Sequence, residues 1–121
     1  VNQILENATF EKITVLIKSN KTRRIAERNE TELESILRVY INRTEKIHLT
    51  KITKSRNIFK SKKYTNLTWK KGVPDYFYKK NKEVIFVECK CAKHDGLRYC
   101  QFKWIEEHKN YKVRIIFVEL I

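Results

Sequence analysis

From Asn29 onward, Leu33, Ile36, Leu37, Tyr40 and Ile41 recur at three- and four-residue intervals, the spacing that gathers apolar side chains on one face of an α-helix. Glu30, Glu32 and Glu34 crowd its start and Arg38 and Arg43 follow later, a polarity that complements the helix dipole. Upstream, Ile13, Val15, Leu16 and Ile17 suit either a helix or a short strand, and the local pattern leaves both open. Lys46 to Trp69 is similarly ambiguous. Ile47, Leu49 and Ile52 have strand-like spacing, followed by Lys- and Arg-rich turns suited to a phosphate backbone.

The second half predicts more definite elements. Val73 to Tyr78 and Glu83 to Cys91 are β-prone runs joined by polar Lys79 to Lys82, as in a hairpin, with Gly72 and Pro74 at its opening. After a turn at His94, Asp95 and Gly96, helical spacing of Leu97, Cys100, Trp104 and Ile105 runs to about His108. Val113 to Leu120 then forms a last apolar strand. No internal repeat or low-complexity linker divides the chain, and its 121 residues suit a single α/β domain spanning 1–121.

Charge changes the picture. Lys and Arg number 27 against 14 Asp and Glu, a formal charge of +13. Such an excess favours a polyanionic partner, because Lys and Arg that neutralise phosphates release condensed counterions. Lysine-rich composition also serves plain solubility, so chemistry must come from particular residues. No stretch reaches the roughly 18–20 apolar residues of a membrane span, and no secretory leader opens the chain. The expectation is an intracellular protein, cytoplasmic or associated with the nucleoid or nucleus. Val1 and the absence of Met suggest a piece of a longer polypeptide or a removed initiator.

In GVPDYFYKKNKEVIFVECK, Asp75 lies near the start of one strand and Glu88 near the end of the next, so an antiparallel hairpin brings them to the same end. Side chains alternate along a strand, so Glu88 and Lys90 share one face and Cys89 and Cys91 the other. Converging carboxylates can hold Mg²⁺, which takes hard oxygen ligands, and a lysine beside them can orient a water or stabilise developing negative charge. A lone Glu-x-Lys is usually a solvated surface pair. Here it ends the apolar run Val84 to Val87, with Pro-Asp at the start of the partner strand and a helix following.

The rival chemistry is zinc. Cys89, Cys91, His94, Cys100 and His108 supply enough ligands, but no C-x-x-C pair is present, and an odd count of three cysteines suits reduced, buried thiols. Tyr64, Trp69, Tyr76, Tyr78 and Tyr99 interleave with Lys60, Lys62, Lys63, Lys70 and Lys71, a mixture able to stack bases and hold phosphates. Tyr76 and Tyr78 lie opposite in parity to Asp75, which points them to the core instead.

The string GVPDYFY, then FVECK, then a helix carrying Gln101 and Trp104 resembles the VRR-NUC family of the PD-(D/E)XK nuclease superfamily, over roughly residues 71–120. The resemblance implies a restriction-endonuclease-like core with a mixed central sheet flanked by helices. It implies that Asp75 and Glu88, with the backbone carbonyl of Cys89, bind Mg²⁺ or Mn²⁺, that Lys90 serves the attacking water, and that Gln101 lies near the metal and scissile phosphate. An acidic residue of the N-terminal helix commonly completes such sites. Glu30, Glu32 and Glu34 compete for that place, and Glu30 is chosen because it lies two turns before Leu37 on the apolar stripe.

The expected function is therefore metal-dependent hydrolysis of DNA phosphodiesters, structure-selective for branched, flapped or junction substrates and endonucleolytic in mode. Lys62, Lys63, Lys70 and Lys71 are the candidate phosphate contacts. A toxin-type nuclease domain cutting DNA or tRNA, a non-catalytic nucleic-acid-binding module and a zinc-organised interaction domain are the alternatives. A homodimer would help so short a chain hold a branched substrate.

Overall fold

The computed structural model describes residues 5–53 and 71–121. Its elements are β1 (Ala8–Val15), α1 (Asn20–Arg28), α2 (Glu30–Glu45), β2 (Thr50–Lys51), β3 (Tyr76–Lys80), β4 (Glu83–Cys91), α3 (Tyr99–Glu107) and β5 (Lys112–Leu120). The strands form one mixed sheet in the order β1-β5-β4-β3-β2. β5 runs parallel to both neighbours, whereas β4, β3 and β2 pair antiparallel. Among the described residues no helix is long and apolar enough to cross a membrane.

The expected stripe of α2 is present: Leu33, Leu37 and Ile41 are buried. Asn29 starts the helix, its side-chain oxygen accepting the Glu32 N–H at 3.2 Å, and Lys46 ends it in the left-handed conformation at φ 59°. The expected hairpin is present, but its first strand is Tyr76–Lys80 instead of Val73 to Tyr78, so the strands take up Lys79 and Lys80 and shorten the turn. Its two-residue loop, Asn81 and Lys82, has both residues at positive φ, the geometry whose twist matches that of the flanking strands.

Strand alternation divides the interior into two cores. On one face of the sheet Tyr76, Tyr78, Val87, Ile116 and Val118 pack with the α2 stripe and with Ala26 of α1. On the other, Phe86, Val113 and Ile115 pack with Trp104 and Ile105 of α3, where Phe86 meets Trp104 edge to face at 5.0 Å. Of the ambiguous Ile13 to Ile17 segment, Ile13 to Val15 end β1, where parallel pairing with β5 turns Ile13 and Val15 toward the α2 layer, while Leu16 lies past the strand and is exposed. Thr50 and Lys51 are the only strand residues in the described part of Lys46 to Trp69, with Leu49 packed in one core and Ile52 in the other.

No pattern announced α1, since Ala26 is its only buried residue; a Ser19 cap and packing on α2 hold it. Polar contacts then lock the layers. Arg114 of β5 binds Glu11 of β1 at 2.7 Å and Glu45 of α2 at 2.9 Å, and donates to the Tyr78 hydroxyl at 3.1 Å. Asn7 reaches the carbonyls of Ile105, His108 and Tyr111, tying the start of β1 to the end of α3.

Candidate active site

The hairpin register sets the site. Tyr76 pairs with Val87, so Asp75, one residue before β3, stands across from Glu88. The preceding Pro74 is buried, and the Asp75 carbonyl accepts the Ile52 N–H at 2.8 Å, which fixes the backbone on both sides. Asp75 Oδ2 accepts the Cys89 N–H at 2.9 Å and thereby clips β3 to β4.

Glu88 and Lys90 share the α3 face, as alternation requires, and both are buried. Gln101, in the first turn of α3, joins them. Its Nε2 donates to Glu88 Oε1 at 2.7 Å, and its Oε1 accepts Lys90 Nζ at 2.7 Å and the Arg98 N–H at 2.9 Å. The opposite orientation of the amide would set N–H groups against the ammonium and oxygen against the carboxylate. Lys90 Nζ also lies 3.8 Å from Glu88 Oε1. Glu88 Oε2 is buried with no hydrogen-bond partner.

Gly72 permits this arrangement. At φ 95° it occupies a conformation that L side chains resist, and a Cβ there would lie 2.1 Å from the Cys100 carbonyl oxygen and 2.9 Å from the Gln101 nitrogen. The loop before β3 therefore lies directly against the α3 turn that carries Gln101.

A cavity of about 250 Å³ opens here, lined by Asp75, Glu88, Lys90 and Gln101 together with Glu30, Glu34, His94 and Arg98 among others. Burial, aided by Glu34 and Glu30, pushes the Asp75 carboxyl up to about 6, although the Cys89 N–H and Lys51 pull the other way. Glu88 is raised well above the ordinary carboxylate range by burial and by Asp75, against the opposing pull of Lys90. Burial and the surrounding carboxylates likewise keep the Cys89 thiol protonated.

These features suit a hard divalent cation. An orphaned, buried carboxylate oxygen lacks a donor, and burial holds both carboxyls high despite the nearby Lys51 and Lys90. No group of three or more His, Cys, Asp or Glu side chains positioned to hold a metal occurs among the described residues. Mg²⁺ needs no such cage, because it keeps several waters and binds through one or two carboxylates.

The N-terminal helix brings two of its three candidate acids, Glu30 and Glu34, to the cavity. Glu30 is exposed at the cavity rim, whereas Glu34 is buried and its Oε1 lies 2.5 Å from Lys51 Nζ. Glu30 is the first residue of α2, and burial along the helix begins one turn later with Leu33 and Glu34. Glu34 is one of the three competing acids, whereas spacing does not single out Lys51 beside it; the only signal for Lys51 is the apolar flank of Leu49 and Ile52.

The zinc candidates are spread over the structure. Cys89 and Cys91 face the α2 layer, His108 stacks on Trp104 at 3.9 Å, and His94 Nε2 contacts the Glu27 carbonyl at 2.9 Å. Tyr76 and Tyr78 are core residues, and Tyr99 is 76% exposed. Lys71 is exposed beside Gly72, whereas Lys62, Lys63 and Lys70 lie outside the described residues, as do Lys60, Tyr64 and Trp69. No family model, curated protein or solved structure matches the chain.

Proposed function

We propose that this protein is a divalent-cation-dependent nuclease of the PD-(D/E)XK type, related to the VRR-NUC family, with DNA as its preferred substrate. The observation that carries the reading is the convergence of Asp75, Glu88, Lys90 and Gln101 in one cavity, with Glu88 Oε2 buried and unpartnered. The antiparallel β3–β4 hairpin followed by the parallel β4–α3–β5 crossover supports a restriction-endonuclease-like core. A formal charge of +13 supports a polyanionic substrate.

Asp75 and Glu88, with the Cys89 carbonyl, would hold Mg²⁺ or Mn²⁺. The bound ion polarises the phosphate and lowers the pKa of an attacking water. With a cation held there, Glu88 would ionise, because positive charge would oppose the burial and the Asp75 charge that raise its pKa. Lys90, pinned by Gln101, presents its ammonium where it can orient the water and stabilise charge on the phosphate. Gln101 acts on both partners at once, holding Glu88 and Lys90 in register.

The test is cleavage of labelled single-stranded, duplex, flap and four-way-junction DNA, and of a structured RNA, with Mg²⁺, Mn²⁺ or EDTA. Wild type is expected to cut branched DNA with either metal, and Asp75→Asn and Lys90→Ala to lose at least a hundredfold in rate. RNA cutting alone would redirect the reading to a toxin-type ribonuclease. Binding without cleavage under any metal, unchanged in the variants, would establish a binding module and overturn the proposal.

A further inference from the structure

A lysine stands beside two of the acids that line the cavity. Lys51 Nζ lies 2.5 Å from Glu34 Oε1 and 3.9 Å from Asp75 Oδ1, and 5.0 Å from the centre of the Tyr76 ring. β2 delivers it through antiparallel pairing with β3, in which Lys51 stands opposite Tyr76. Glu34 comes from the far side, one turn inside α2. The ammonium thus bridges an acid of the helix and an acid of the hairpin.

We infer that Lys51 takes the place of a second cation and restricts the site to one divalent ion, between Asp75 and Glu88. This rests on the metal-binding reading above. Asp75 has one oxygen engaged by the Cys89 N–H and the other facing Lys51, while both Glu34 and Asp75 would be ligands for an ion on the α2 side. With Lys51 present, that ion meets an ammonium that already neutralises Glu34. Electrostatic repulsion between a fixed monovalent and a mobile divalent charge disfavours entry, and the oxygen it needs is already shared. Glu34 therefore positions Lys51 and is not a metal ligand. Without Lys51, two carboxylates face each other across the cavity with no cation between them.

Lys51 is 42% exposed at its side chain, so replacing it by methionine keeps its length without opening a cavity in the core. Mn²⁺ titration by calorimetry, with electron paramagnetic resonance of the loaded protein, reads the result directly. Wild type binds one ion per chain, lost in Glu88→Gln. Lys51→Met binds two, with the broadened signal of neighbouring spins; Lys51→Arg binds one, and adding Glu34→Gln to Lys51→Met restores one. Circular dichroism melts establish that each variant is folded. Two ions in wild type, or one in folded Lys51→Met while Glu88→Gln abolishes binding, overturns the inference and leaves the metal site standing. No Mn²⁺ binding in wild type, or binding indifferent to Glu88→Gln, overturns the metal reading itself and this inference with it.

Discussion

Replacing Gln101 by leucine removes a side chain that is 3% exposed and makes three hydrogen bonds, two of them to ionisable groups. Lys90 Nζ loses its 2.7 Å acceptor, Glu88 Oε1 keeps only the 3.8 Å approach of Lys90, and the Arg98 N–H at the start of α3 loses its cap. Hydrogen bonds to charged groups contribute about 1.5–3 kcal/mol each, and neutral ones about 1. Burial of the leucine offsets about 2 kcal/mol, and Glu88 can relax by staying protonated. A net loss of about 3 kcal/mol is expected, which for a chain of this size lowers Tm by roughly 10 °C. Urea and thermal unfolding in EDTA measure it, since metal binding would otherwise mask the change. A Gln101→Leu variant within about 0.5 kcal/mol of wild type would refute the account, because a hydrogen-bonded amide linking two buried ionisable groups cannot be removed so cheaply.

The raised carboxyls give a pH dependence of unusual sign. The folded chain holds the Asp75 proton until about pH 6, the unfolded chain only to about 3.8, so this stabilisation is present below the unfolded value and lost as pH rises through 6. At roughly 1.4 kcal/mol per pH unit the effect reaches about 3 kcal/mol, and Glu88 acts in the same direction. Metal-free protein should therefore unfold at higher urea at pH 5 than at pH 7, and Asp75→Asn should flatten that slope; an unchanged midpoint would contradict it. Glu11, whose carboxyl Arg114 holds low, acts oppositely and only at more acidic pH. Two glycine changes should differ in sign. Gly72→Ala places a methyl group against the Cys100 carbonyl and should cost about 3 kcal/mol in urea unfolding and weaken Mn²⁺ binding through the displaced α3 turn. Lys82→Gly, in the hairpin loop at φ 67°, should raise stability by about 1 kcal/mol without altering cleavage.

Local chemistry accounts for much of the fold in advance. The α2 stripe, the two β-prone runs flanking a polar stretch and the α3 spacing rest on short-range patterns, which any short window of the chain reveals. The same alternation placed Glu88 and Lys90 on one face and Tyr76 in the core, and hairpin geometry brought Asp75 across from Glu88. What lay beyond that window depended on partners distant in the chain. Ile13 to Val15 acquired their strand character from β5, about a hundred residues later, and α1 buries too little of itself to announce its presence. Glu34 and Glu30 lie one turn apart on α2, and only the folded chain packed against the helix decides which is covered. Lys51 looked like one of many surface lysines until β2 placed it between Glu34 and Asp75. A side chain's periodicity sets the direction it faces; its burial and charge partners are set by whatever the rest of the chain folds against it.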